Sequence, residues 1–383
     1  MEPAISIGFL IIQAERGERR AFLPNFIASL ERLGAQVVLE EGYGGRLGFS
    51  AQDYLKAAPN AAFAPRAEVY QQDYVVVIRY PGDDEIARHQ PRGCLVTMLH
   101  YPTRPQRVEF LREQGVECIS LDSVKDDTGR RLVENLRSVA WNGVQAGFRT
   151  LRTVFPAPGF DSPHRRPIQA LTLGAGAVGS QVTPAAVRYG DLALWREMVE
   201  RGVPGVQATS VDYDTTRFEP LMLELLSHTD ILVDATQRPD PSEPVIPNRW
   251  IAAMPRHAVL VDLSVDPYRC ETPPRAVKGI EGIPQGNLDQ YVFAPDDPAF
   301  DLVPPCVDAT HRRYTVSCYS WPGVNPRECM EAYGHQLHPL LRTLIEKGGL
   351  PNLNPRGKFF ERAIARALLA RWVENHKTAP GES

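Results

Sequence analysis

The chain has 383 residues, with 42 Lys and Arg against 46 Asp and Glu, a formal net charge of −4. Hydrophobic residues at 43% and charged residues at 23% are ordinary for folded chains and exclude disorder. No apolar run approaches the roughly 20 residues of a membrane span. The opening MEPAISIGFLIIQAE lacks the basic start and cleavage site of a signal peptide. Slight acidity disfavours binding to a phosphate backbone. A cytoplasmic protein of two domains is expected, with no membrane or nucleic-acid partner. Cys94, Cys118, Cys270, Cys306, Cys318 and Cys329 contain no CxxC pair, so free thiols are expected rather than a zinc site or a disulfide framework.

Residues 5–12, ISIGFLII, form a continuous Ile-rich run, as a strand buried on both faces requires. A charged turn leads to Pro24 and FIASLERL, apolar at helical spacing and stopped by Gly34. AQVVLEE reads as a second strand ending in the turn GYGGRLG, and DYVVVIRYP and GCLVTMLH are two more. Residues 131–153 predict a long amphipathic helix, and PAPGFDSPHRRP a linker. Strand IQALTL runs straight into Gly174, Gly176 and Gly179, and VQATSVDYD, ILVDATQ and HAVLVDLSVD continue the alternation. Beyond about residue 320 the pattern is helical, and the tail TAPGES reads as disordered.

This order predicts an α/β fold of two Rossmann-like domains, parallel sheets with flanking helices, separated by a cleft. The substrate domain is expected at 1–145 plus 325–383, discontinuous in sequence, and the NAD-binding Rossmann domain at 146–324. Active groups in such sheets gather at the carboxyl ends of strands, which is where Arg79 and His100 fall.

The segment Gly174-Ala175-Gly176-Ala177-Val178-Gly179 follows a strand and opens a helix. Its first glycine allows a tight turn, its second lets pyrophosphate approach the backbone, and its third lets helix and strand pack closely. The free N–H groups of the helix start then face the phosphates. An acidic residue should end the next strand and hold the ribose hydroxyls. Asp212 does so by type, with Asp214 as the rival; it lies 33 residues beyond Gly179, so WREMVERGVPG must contain an insertion. A carboxylate there repels a 2′-phosphate, which favours NAD over NADP. No metal site is expected.

ERRAFLP, IRYP, MLHYP, GAGAVG and VDLSVD occur in the same order as segments of the alanine dehydrogenase and saccharopine dehydrogenase superfamily, which this chain resembles over nearly its whole length. SLDSVKDDTGRRLV and SWPGVNPRECMEAYGHQLHPLL tilt the resemblance toward the saccharopine branch, and the opening is also similar to carboxyethylornithine synthase. The resemblance implies that Arg19 clamps the substrate carboxylate, that His100 is the acid/base, and that Asp266 lies on the nicotinamide side. Guanidinium forks suit carboxylates, and imidazole exchanges protons near neutrality. The family lysine before the proline of the second motif is replaced by Arg79, which keeps a positive charge but cannot serve as a base. Arg131, with Arg104 and Arg130, is a further candidate carboxylate ligand.

The resemblance implies an NAD-dependent amino-acid oxidoreductase acting on a C–N bond, with an amino acid or 2-oxo acid as its small-molecule partner. The leading expectation is saccharopine-like or opine-like chemistry, a secondary amine formed from an amino acid and a 2-oxo acid. The alternative is deamination of the alanine-dehydrogenase type. A third reading, of another class, is a non-catalytic dinucleotide-binding regulator. Homo-oligomerisation is left open.

Overall fold

The computed structural model describes residues 4–271, 273 and 275–376, so the tail TAPGES lies outside the described residues. The chain divides into two compact units. One takes Met1–Ala14, Glu18–Asn135 and Pro326–Ser383, and the other Glu15–Gly17 and Leu136–Asn325.

The first unit is built on six parallel strands: β1 (Ser6–Phe9), β2 (Gln36–Glu40), β3 (Ala62–Ala64), β4 (Tyr74–Arg79), β5 (Cys94–Met98) and β6 (Cys118–Ser120). Their order across the sheet is β3-β2-β1-β4-β5-β6, the doubly wound arrangement, whose direction of winding reverses between β1 and β4. β4 occupies the centre because Tyr74 to Ile78 are all buried, which only a strand covered on both faces tolerates. Pro24 sits at the start of the helix Pro24–Arg32, where its missing N–H costs nothing, and the helix turns Phe26, Ile27 and Leu30 inward. Phe22 stacks on Phe26 at 4.6 Å between centroids and meets Phe9 edge-on at 5.6 Å. The long helix Pro326–Lys347 completes this core through Met330, Tyr333, Leu337, Leu341 and Leu344.

The second unit carries β7 (Ile168–Leu173), β8 (Val206–Val211), β9 (Ile231–Asp234), β10 (Val259–Asp262), β11 (Val292–Phe293) and β12 (Tyr314–Ser317). The order is β11-β12-β10-β9-β7-β8, parallel except for β11. The helix Leu136–Val154 crosses this sheet at Gly143 and Gly147. A Cβ at these positions would lie 2.2 Å from Leu263 and 2.6 Å from Val261, so glycine is what lets the helix sit so close.

Several expectations are corrected here. The predicted helix begins at Leu136 rather than 131, and the chain passes between units at Asn135/Leu136 rather than near 145. β3, β6, β11 and β12 were not anticipated; each has two to four residues, too few for a periodic signal. The cysteines are not all free, because Cys270 and Cys306 form a disulfide with Cα atoms 6.4 Å apart. Their separation of 36 residues hid the pairing, while Cys94, Cys118, Cys318 and Cys329 are buried thiols. Among the described residues no helix is long and apolar enough to cross a membrane.

Candidate active site

In the first unit Arg19, Arg79 and His100 follow the carboxyl ends of β1, β4 and β5, three consecutive neighbours in the sheet. The loop after β1 is fixed by alternation. Glu18 and Arg20 turn inward as a buried ion pair, with Arg20 Nε 2.9 Å from Glu18 Oε1 and Nη2 2.5 Å from Oε2. Arg19 between them is therefore turned outward, exposed, and lines a cavity of about 330 Å³ with Gln13, Tyr43 and Arg46. Further along, the Phe22 amide donates to Tyr43 Oη at 2.9 Å, and Tyr54 Oη donates to the Phe22 carbonyl at 2.8 Å. Arg79 is the half-buried last residue of β4, beyond an irregularity in its pairing with β5 that pairs Arg79 with Met98.

His100 stands two residues past β5 in the left-handed region, at φ 54°, a conformation costly for a residue with a Cβ. Asp122 holds it there. Its buried carboxylate accepts from the Leu99 amide at 2.9 Å, the His100 amide at 3.1 Å and Ser120 Oγ at 2.9 Å. Its other oxygen lies 3.5 Å from His100 Nδ1. Burial pushes the Asp122 carboxyl up, but the His100 side chain and amide and the Ser120 hydroxyl outweigh it, and the group is held well below the usual carboxylate range. A carboxylate facing Nδ1 favours the proton there and leaves Nε2 to exchange protons with a substrate. Arg107 braces the same turn by donating to the Leu99 carbonyl at 3.1 Å. Asp122 and Arg107 were not foreseen. The Asp122 partners lie 22 and 23 residues away, and only its place just past an apolar strand signalled it.

Arg131 lies on the segment that follows β6. It is exposed, pairs as an isolated bridge with Lys125, and does not line the Arg19 cavity. Arg130 and Arg104 are also exposed, and Arg104 donates to the Thr103 carbonyl.

In the second unit the glycine loop connects β7 to the helix Gly179–Ala186. Gly174 has φ 90°, and a Cβ on Gly179 would fall 1.9 Å from the Gly174 carbonyl oxygen, so loop and helix start are in direct contact. A Cβ on Gly176 would meet nothing within 4 Å, and Gly176 and Ala177 are exposed, with Val178 half-buried. This leaves the loop open to a ligand. Asp212 directly follows β8 and accepts from the Ala175 amide of that loop at 3.3 Å, whereas Asp214 lies within the next helical turn. The 33-residue spacing contains an extra helix, Leu192–Glu200. The loop's exposed amides and the adjacent carboxylate suit a dinucleotide's pyrophosphate and ribose.

Asp266 follows β10 and pairs with Arg238, its Oδ2 2.6 Å from Nη2. The turn that carries it passes through Val265 at φ 56°, pinned by its amide donating to Asp262 at 2.8 Å. Asp262 is wholly buried with Lys278, whose Nζ lies 2.8 Å away, and also accepts from Ser317 at 2.9 Å. Burial raises the Asp262 carboxyl, but Lys278 outweighs it and leaves the group below its ordinary value. Asp234, its register partner on β9, is pushed up to about 6 by burial and by the Asp262 charge. Lys278 and Asp234 were missed by the sequence reading. An aspartate at the end of each of two buried strands was the available signal.

Residues 12–141 match the family model described as "Alanine dehydrogenase/PNT, N-terminal domain". The alanine dehydrogenase of Halomonas elongata is 24% identical over 93% of this chain and 95% of its own length. The chain is thus similar over most of its length to alanine dehydrogenases, with the family model matching its N-terminal part alone. Haemophilus influenzae NAD(P) transhydrogenase subunit alpha is 22% identical over 92% of the chain and 68% of its own length. A solved L-alanine dehydrogenase superposes with a TM-score of 0.71 at 20% identity, covering 95% of this chain and 94% of that one, which shows the shared two-domain α/β fold.

For this alanine-dehydrogenase-like chain the tilt toward the saccharopine branch is not supported. The relatives found favour the alternative expectation, the alanine-dehydrogenase type. The segments SLDSVKDDTGRRLV and SWPGVNPRECMEAYGHQLHPLL do not outweigh that match over most of the chain.

Proposed function

We propose that the chain is an NAD-dependent oxidoreductase acting on CH–NH2 donors, of the alanine-dehydrogenase type. A 2-oxo acid, ammonia, NADH and a proton give an amino acid, NAD and water, and the reverse. The observation that carries this reading is the set of Arg19 in the loop after β1, Arg79 at the end of β4 and His100 just past β5, on neighbouring strands, in a chain whose other unit holds a glycine loop with Asp212 against it. The first unit is then the substrate domain and the second the cofactor domain.

A bound nicotinamide supplies or accepts the hydride. Arg19 and Arg79 hold carboxylate oxygens with planar, permanently charged forks. His100 gives and takes the proton at Nε2, oriented by Asp122. Asp266, paired with Arg238, presents a carboxylate beside the β10 turn. The reading is tested by NADH oxidation with pyruvate and other 2-oxo acids, with ammonia as the amine. Binding of NADH without oxidation across that panel would leave a regulatory protein instead. Formation of a secondary amine is the second reading. Oxidation of NADH with lysine or ornithine but not ammonia would establish it.

Two results follow from the geometry. Because Asp212 sits against the glycine loop, NAD should be bound at least about tenfold more tightly than NADP, in proportion to a 2′-phosphate brought against a carboxylate. Equal affinities in a fluorescence titration would remove Asp212 from the ribose. Arg79→Lys keeps the charge but loses the bidentate fork. It should raise KM for the 2-oxo acid by about ten- to a hundredfold, with a smaller effect on kcat. A large gain in kcat from Arg79→Lys would show instead that a lysine is the missing proton carrier.

A further inference from the structure

The cavity beside Arg19 holds a second guanidinium. β2 ends at Glu40, and the loop after it turns through Gly44, at φ 80°, into a short 3-10 turn, Gly45–Leu47, whose middle residue is Arg46. That loop lies flat on Tyr54, since a Cβ on Gly44 would fall 2.4 Å from Tyr54 Oη. Tyr54 in turn bonds the Phe22 carbonyl of the Arg19 loop, so the two loops are fixed to each other. Arg46 Nη1 donates to the Glu18 carbonyl at 3.4 Å, one residue from Arg19.

The charge balance of this cavity is one-sided. Glu18 is the acid in its lining, and both of its oxygens are taken by Arg20. Arg19 and Arg46 remain, and among the described residues neither has a carboxylate partner. Two permanent cations facing one space repel each other, and a ligand with two separated negative groups relieves both. At about 330 Å³ the cavity falls within the range of small-molecule sites, with room beyond a pyruvate-sized acid.

We propose that Arg46 is a substrate-specificity residue that binds a second carboxylate, so that the 2-oxo acid used by this chain is a dicarboxylate. Arg19 takes the carboxylate next to the reacting carbon and Arg46 the distal one. The inference rests on the C–N dehydrogenase reading above and adds the substrate class to it.

Steady-state NADH oxidation with ammonia, comparing 2-oxoglutarate and oxaloacetate with pyruvate and 2-oxobutyrate, tests it in wild type, Arg46→Met and Arg46→Lys. The wild type should favour a dicarboxylate by about tenfold or more in kcat/KM. Arg46→Met should shrink that ratio by about ten- to a hundredfold, mainly through KM, and Arg46→Lys should regain part of it. A wild type that favours pyruvate, or a ratio unchanged in Arg46→Met, overturns the proposal. If no 2-oxo acid is reduced, the dehydrogenase reading fails by itself, and calorimetric titration with 2-oxoglutarate decides this one. Binding weakened about tenfold or more in Arg46→Met supports it; no binding to wild type, or equal binding to both, overturns it. Thermal melts of the variants separate a lost contact from a lost fold.

Discussion

Replacing His100 with alanine is expected to lower kcat for reductive amination by about 10²–10⁴-fold, the usual range for a lost general acid/base, while NADH affinity stays at the wild-type level. The separation is expected because His100 closes the β5 end of the first unit, whereas the glycine loop and Asp212 belong to the second. Alanine alone confounds two effects, since position 100 has φ 54°, a conformation that histidine adopts more readily than alanine. Asparagine tolerates the left-handed region better and carries no exchangeable proton of suitable acidity. His100→Asn should therefore lose the same activity with little loss of thermal stability. Turnover that survives in both variants, with only a modest fall, would make His100 a structural residue.

Lys278→Met is expected to be the most destabilising single change in the second unit. It leaves Asp262 buried without its cation and beside Asp234, and breaking such a pair costs about 3–5 kcal/mol. The pH dependence carries the sign. In the wild type Asp234 keeps its proton to about 6 in the folded chain, while an unfolded aspartate loses it near 3.9. The folded state thus binds more protons in that window, and this group's contribution to stability falls as the pH rises through it. Without Lys278 the Asp262 carboxyl moves upward as well, so the window extends to higher pH. The melting temperature of Lys278→Met should lie further below wild type at pH 8 than at pH 5. An equal deficit at both values would mean that Lys278 acts by packing alone.

The parts of this site that could be read from the sequence are those written in consecutive residues. GAGAVG states its geometry locally, because Gly174 and Gly179 touch across five positions. Arg79 and His100 could be placed because each ends a run of buried apolar residues, and a run of that kind marks its own carboxyl end. The supporting groups could not. Asp122 acts on amides of a neighbouring strand's end, Lys278 on a carboxylate 16 residues back, and Cys270 on Cys306. Each pairing exists only after the strands are ordered in the sheet. Arg131 is exposed and bridges Lys125, in a segment singled out for its likeness to a family motif and not for any run that marks a strand end.

The interruption of the first unit has a consequence for synthesis. Its strands are complete by residue 120, but the helix Pro326–Lys347, which supplies Met330, Leu337, Leu341 and Leu344 to its core, is made only after residues 136–325. At about 5–20 residues per second, those 190 residues take roughly 10–40 s to translate. For that interval the helix Pro24–Arg32 presents Phe26 and its neighbours without the helix that covers them, far longer than the microseconds in which apolar chains collapse. On the ribosome the second unit has all of its residues before the first does, and the uncovered face of the helix Pro24–Arg32 is where a chaperone would engage the growing chain.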